Sequence, residues 1–165
     1  MVLPTAYLGP KSWFDSLPAT IEVMETFEKQ TFRNRCLIRD PQGQVIRLTV
    51  PVKKVETKQL TRDVEISYQT HWQHQHWMAI KSSYGQTPYY DYFEEFLRPW
   101  YEHETRFLVD LNEGLAQTVQ ALLRKEKPQL QPLFFTRTRE WAGETWTDRH
   151  PWQNELSVLE TLFED

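Results

Sequence analysis

The sequence predicts one α/β (or α+β) domain: a mixed sheet, including a β-hairpin near residues 32–52, packed by about four to five helices. Three observations carry this expectation. The length, 165 residues, suits a single domain spanning 1–165. Between Phe32 and Val52, two β-rich runs flank Asp40-Pro41-Gln42-Gly43-Gln44, where an early proline and a late glycine are turn chemistry. From His71 onward the apolar spacing becomes helical, and strands mixed with helices imply one sheet covered by helices.

The elements follow in order. "VLPTAYL" is a short apolar run that reads as a first buried strand, although Pro4 weakens its early part. In "GPKSWFDSLPA", Pro10 suits the first position of a helix that places Trp13, Phe14 and Leu17 on one face. "TIEVM" is a β-rich segment, the hairpin follows, residues 53–62 read as charged loop, and "DVEIS" is another short strand. Residues 71–84 form a helix stopped by Gly85 and Pro88. "YYDYFEEFLRPWYE" is a second helix that Pro99 kinks or splits. "TRFLVDLNEGLAQTVQALLRK" is a third, striped by Leu108, Leu111, Leu115, Val119 and Leu122. "LFFTR" reads as a last strand, "EWAGETWTDRHPWQ" as loop, and "NELSVLETLF" as a closing short helix.

Composition narrows the function classes. A net charge of −4 argues against a general nucleic-acid binder. One cysteine rules out an intramolecular disulfide and a multi-cysteine zinc cage. No apolar run reaches the roughly 18 residues of a spanning helix, so no integral membrane segment is expected. The start "MVLPTAYLGP" lacks a basic n-region and a long apolar core, and a soluble, cytoplasmic protein is expected. Aromatic residues make up 14%, and rings with polar handles suit both cores and pockets for sugar-like ligands. There is no Gly-rich phosphate loop, G-x-S-x-G elbow or H-E-x-x-H, and no cofactor is expected.

Two constellations carry candidate chemistry. Strand alternation through "FRNRCLIR" places Arg33, Arg35, Leu37 and Arg39 on one face, and Phe32, Asn34, Cys36 and Ile38 on the other. Arg33 and Arg35 then fork onto a phosphate or carboxylate, with Lys53 and Lys54 adding charge, or else decorate a solvated face. Cys36, on the Ile38 side, reads as a small core residue rather than a nucleophile. In "HWQHQHWMAIKSSYG", helical spacing gathers Trp72, Gln73, His76, Trp77, Ile80 and Tyr84 within one arc of about 140°. His76 is either a proton-transfer group whose tautomer Gln73 fixes, or a satisfied core histidine. His71, His74 and His76 do not share a face, so no metal site is expected. Asp110 in "DLNEGL" faces solvent or a basic partner.

These stretches resemble a known family. "KQTFRNRC", then "LTVPVKK", then "WQHQHWMAIKSSYGQTPYYDYF" and finally "DLN" are similar, in order, to the WbqC-like family of bacterial proteins. The opening "LPTAYLGPKSWF" and the closing "NELSVLETLF" are similar to the family's ends. The positions matching its motifs are Lys29, Gln30, Arg33, Asn34, Arg35, Lys53, Gln73, His76, Trp77, Tyr84, Pro88 and Asp110.

The resemblance implies a cytoplasmic step of surface-polysaccharide (O-antigen, lipopolysaccharide) assembly. The expected function is a transferase-type enzyme acting on an activated or lipid-linked sugar. In that reading His76, Gln73 and Asp110 are catalytic. Lys29, Gln30, Arg33, Asn34, Arg35, Lys53, Trp77 and Tyr84 hold the sugar or its anionic group. The alternative is a non-catalytic module of the same pathway that holds a sugar or a partner enzyme.

Overall fold

The computed structural model describes residues 1–129 and 135–164. Three short strands form a parallel sheet in the order β1 (Val2–Pro4), β2 (Thr20–Glu22) and β5 (Thr136–Arg137). Val2 lies opposite Thr20, and Ile21 opposite Arg137. Parallel neighbours need a crossover, and α1 (Lys11–Asp15) supplies it between β1 and β2, burying Trp13 and Phe14. Pro10 precedes the helix as its cap instead of opening it, and the helix ends before Leu17. The expected strands at both ends of α1 are shorter than their apolar runs.

The hairpin is β3 (Arg35–Arg39) and β4 (Val45–Thr49), paired antiparallel from Arg35↔Thr49 to Arg39↔Val45. Its turn closes through Asp40 N–H to the Gln44 carbonyl, and Gly43 takes φ +85°, a conformation that suits glycine. The first strand starts at Arg35 and not at Phe32, because 31–34 fold into a turn closed by Asn34 N–H to the Thr31 carbonyl. "DVEIS" does not form a full strand. It joins its neighbours by single bridges, Val52↔Ile66 and Glu65↔Phe107.

Three longer helices cover the sheets. α2 (Trp72–Tyr84) buries Trp72, His76, Ile80 and Tyr84, spaced four apart as one helical face requires. α3 (Tyr90–Leu97) passes into a 3₁₀ turn over Arg98–Tyr101, and Pro99 splits the segment as expected. α4 (Leu108–Leu123) buries all five residues of its apolar stripe, Leu108, Leu111, Leu115, Val119 and Leu122. α5 is one turn, Leu159–Leu162, shorter than the run "NELSVLETLF" suggested. Of the expected strand "LFFTR", residues 133 and 134 lie outside the described residues, and β5 is the described remainder. One apolar core joins these elements. Among the described residues no helix is long and apolar enough to cross a membrane.

Candidate functional site

Arg33 underlies a cleft rather than opening into it. The turn that precedes β3 turns its side chain inward, to 1% exposure, where its guanidinium meets Glu25. Nε donates to Glu25 Oε1 at 2.6 Å and Nη2 to Oε2 at 3.0 Å, a bidentate pair. Nη2 also donates to the Trp146 carbonyl at 2.6 Å, and Nη1 to Thr31 Oγ1 at 3.2 Å. The half-exposed Glu28 carboxylate stands 3.6 Å from Nη1. Burial raises the Glu25 carboxyl above its usual range even though Arg33 pulls it down, and Glu22 and Glu28 add to the rise.

Above this pair lies a cleft of about 410 Å³, bounded by Met24, Glu28, Trp141, Glu144 and Trp146. Trp141 is 57% exposed, whereas Trp146 is buried at the floor. Three acidic residues (Glu25, Glu28, Glu144) and one guanidinium line the cleft. The cleft is therefore acidic, and four of the five Arg33 N–H donors are already used within the protein, with Glu28 close to Nη1.

The turn that carries Arg33 is held from all sides. Gln30, at φ +60°, donates its N–H to Asn34 Oδ1, and its carbonyl accepts from Gln153 Nε2. Asn34 Nδ2 donates to the Val50 carbonyl, and Tyr7 N–H to the Phe32 carbonyl. Asn112 Nδ2 donates to the Arg33 carbonyl. Gln30, Asn34 and Arg33 thus shape the loop. Lys29 beside them is exposed and makes no hydrogen bond or ion pair among the described residues.

His76 lies elsewhere, inside the core at 4% exposure. Its Nε2 is 3.0 Å from the Thr49 carbonyl, which can only accept, so Nε2 carries the proton. Nδ1 then accepts from the Tyr7 hydroxyl at 2.8 Å, and Tyr7 in turn accepts from Tyr101 at 2.7 Å. Burial lowers the imidazole to about 4. Both ring nitrogens are occupied and the ring is neutral, which is the arrangement of a satisfied core histidine. Gln73 does not orient it: its Nε2 donates to the carbonyls of Trp100 and His103.

The remaining expected residues are dispersed. Arg35 and Arg33 do not share a face, because strand alternation begins only at Arg35, whose Nε donates to Thr49 Oγ1. Lys53 stands beside Glu65, which Arg106 also contacts at 2.9 Å. Trp77 packs between Tyr90 and Tyr101. Tyr84 stacks on Phe163, centroids 4.7 Å apart. Asp110 pairs with Arg137 at 2.5 Å, and Glu113 joins them, tying α4 to β5. Cys36 is buried and its thiol is pushed well up by desolvation.

Three comparisons bear on this arrangement. The WbqC-like protein family model matches residues 22–131, two thirds of the chain. The chain belongs to the WbqC-like family. That match contains Glu25, Glu28 and Arg33, while Trp141, Glu144 and Trp146 lie beyond it. Comparison with curated proteins and with solved structures found no match. Within the WbqC-like match, "KQTFRNR" is the loop that buries Arg33, and "DLN" contributes Asn112 to it. The cleft residues were missed in sequence because Glu25 sits in an unpatterned acidic run and both tryptophans in a segment without periodicity. Two tryptophans five apart among charged residues were the one signal available.

Proposed function

We propose that this chain, acting as one cytoplasmic domain, handles a sugar in bacterial surface-polysaccharide assembly and holds it in the cleft above Arg33 and Glu25. The observation that supports this is the pairing of indole walls with carboxylates at the floor and rim. A sugar ring offers apolar C–H faces to indoles and a belt of hydroxyls to carboxylates. The negative balance of the cleft favours the ring itself over a phosphate. Membership of the WbqC-like family, whose resemblance implies surface-polysaccharide assembly, supports the pathway.

The transfer reading assigns Glu28 as the base. Its carboxylate is half exposed and stands only loosely against Arg33, so it is available to take the proton of an attacking hydroxyl. The burial of His76 favours the second reading, in which the chain holds the sugar without turning it over.

Tryptophan fluorescence, titrated with a panel of free and nucleotide-linked sugars, tests the cleft. A saturable change that disappears in Trp141→Ala is expected, and no saturable change across the panel would sink the reading. Glu28→Gln then separates the two forms: binding kept with altered cell-surface polysaccharide marks transfer, and unaltered polysaccharide marks holding.

A further inference from the structure

The outer face of the hairpin carries three arginines that form no ion pair among the described residues. The register Arg35↔Thr49, Leu37↔Arg47 and Arg39↔Val45 sets these six residues on one face, since directly opposed residues point to the same side. The alternate residues Cys36, Ile38, Ile46 and Leu48 turn toward the core. Arg47 is the diagonal neighbour of both Arg35 and Arg39, at the roughly 7–8 Å of such pairs, within reach for long side chains.

The three arginines are not equivalent. Arg39 bends to the hairpin tip, where Nη1 donates to the Gly43 carbonyl at 2.9 Å. Arg35 uses only Nε, on the Thr49 hydroxyl, and keeps both Nη groups. Arg47 makes no hydrogen bond or ion pair among the described residues. Burial and the neighbouring Arg47 charge both lower the Arg35 guanidinium from its ordinary value.

Two acids near this face make hydrogen bonds to other groups and no ion pair with these arginines. Glu160 accepts the Arg39 main-chain N–H at 2.8 Å, and Glu155, beside Arg35, accepts from the Ser12 hydroxyl at 2.6 Å. Several exposed cations in the chain do find carboxylates, while others, Lys29 among them, do not. Lys53 and Arg106 share Glu65, Arg98 lies between Glu94 and Glu102, and Arg137 between Asp110 and Glu113. Arg35 and Arg47 stand side by side on one face of the hairpin, against their own repulsion, with no ion pair among the described residues.

We propose that Arg35 and Arg47 form a clamp for a diphosphate group, each guanidinium gripping one phosphate unit, with the Thr49 hydroxyl between them. Planar forks suit phosphate oxygens in pairs, and two forks match two linked phosphates. The short patch on an acidic chain does not suit a long polyanion. The clamp involves none of the sugar-cleft residues, so either can fail without the other.

Calorimetric titration with inorganic pyrophosphate and orthophosphate tests it. Pyrophosphate is expected to bind more tightly than orthophosphate. Arg35→Gln and Arg47→Gln should each weaken it by roughly tenfold or more, the loss of a charge-assisted contact. Arg106→Gln, which removes a comparable surface cation, should bind like the wild type. Without ligand, Arg47→Gln should melt at or above the wild-type temperature, because it relieves repulsion and breaks no contact. Failure of the wild type to bind pyrophosphate, wild-type binding by Arg47→Gln, or equal loss in Arg106→Gln would each overturn the clamp.

Discussion

The side-chain amide of Asn112, in the first turns of α4, donates to the Arg33 carbonyl at 2.8 Å and to the Thr5 hydroxyl at 2.9 Å. One buried amide thus ties the long helix, the segment after β1 and the Arg33 turn together. Asn112→Ala strands the Arg33 carbonyl and the Thr5 hydroxyl, and should cost about 1–3 kcal/mol in urea unfolding. Asp110→Asn, two residues away on the exposed side, should change stability by less than about 1 kcal/mol. Equal losses would contradict the division of labour within "DLN".

The buried imidazole of His76 makes stability depend on pH. Unfolded, the ring takes a proton near 6.5, whereas in the fold it resists until about 4. The stabilisation is therefore full above 6.5 and lost as pH falls toward 4, at about 1.4 kcal/mol per pH unit, or about 3 kcal/mol in all. His76→Gln removes this titration. The wild-type minus variant stability, measured by urea unfolding from pH 7 to pH 4, should shrink across that window. A constant difference would mean that the fold leaves the His76 titration where it is in the unfolded chain.

Gly114 makes room for Trp100. A β-carbon at 114 would fall well inside contact distance of the Trp100 ring, whose Nε1 donates to Thr118 Oγ1 at 3.1 Å. In an isolated helix, Gly→Ala gains about 0.8–1.0 kcal/mol. Here Gly114→Ala should instead destabilise, by about 1–3 kcal/mol, as overpacking does. A higher melting temperature for Gly114→Ala would show that the Trp100 contact yields.

Cys36 is the only thiol, buried at 6% exposure and raised well above its ordinary range by desolvation. A thiol-specific disulfide reagent at pH 8 should react in the native state on the order of a hundredfold more slowly than in urea, since reaction waits for opening. Comparable rates would place Cys36 at the surface.

Much of the architecture was legible before folding was considered. Asp40-Pro-Gln-Gly-Gln marked the hairpin turn, Pro99 the break after α3, and the five apolar residues of α4 its buried face. The four-residue spacing of Trp72, His76, Ile80 and Tyr84 marked the face of α2. Strand ends were less legible, because a turn closed by Asn34 and Thr31 competes with extension at Phe32, and propensity alone does not weigh that hydrogen bond. Arg33 departs from the strand alternation for this reason: the turn takes it out of the strand. The cleft was not legible at all, since Glu25 and Trp146 are 121 positions apart and meet only through Arg33.

Local pattern was enough for the α/β class, the order of the main elements, the family and the core face of each long helix. These are properties of local spacing and of side chains that are apolar wherever the chain goes. Only the tertiary structure decided which polar residues face one another. It buried Arg33 on Glu25, seated His76 between Tyr7 and Thr49, and left Arg35 and Arg47 without an ion pair among the described residues. Charge and hydrogen-bond partners lie across the chain, and the energy of a buried ion or an unpaired guanidinium depends on them and not on its own residue type.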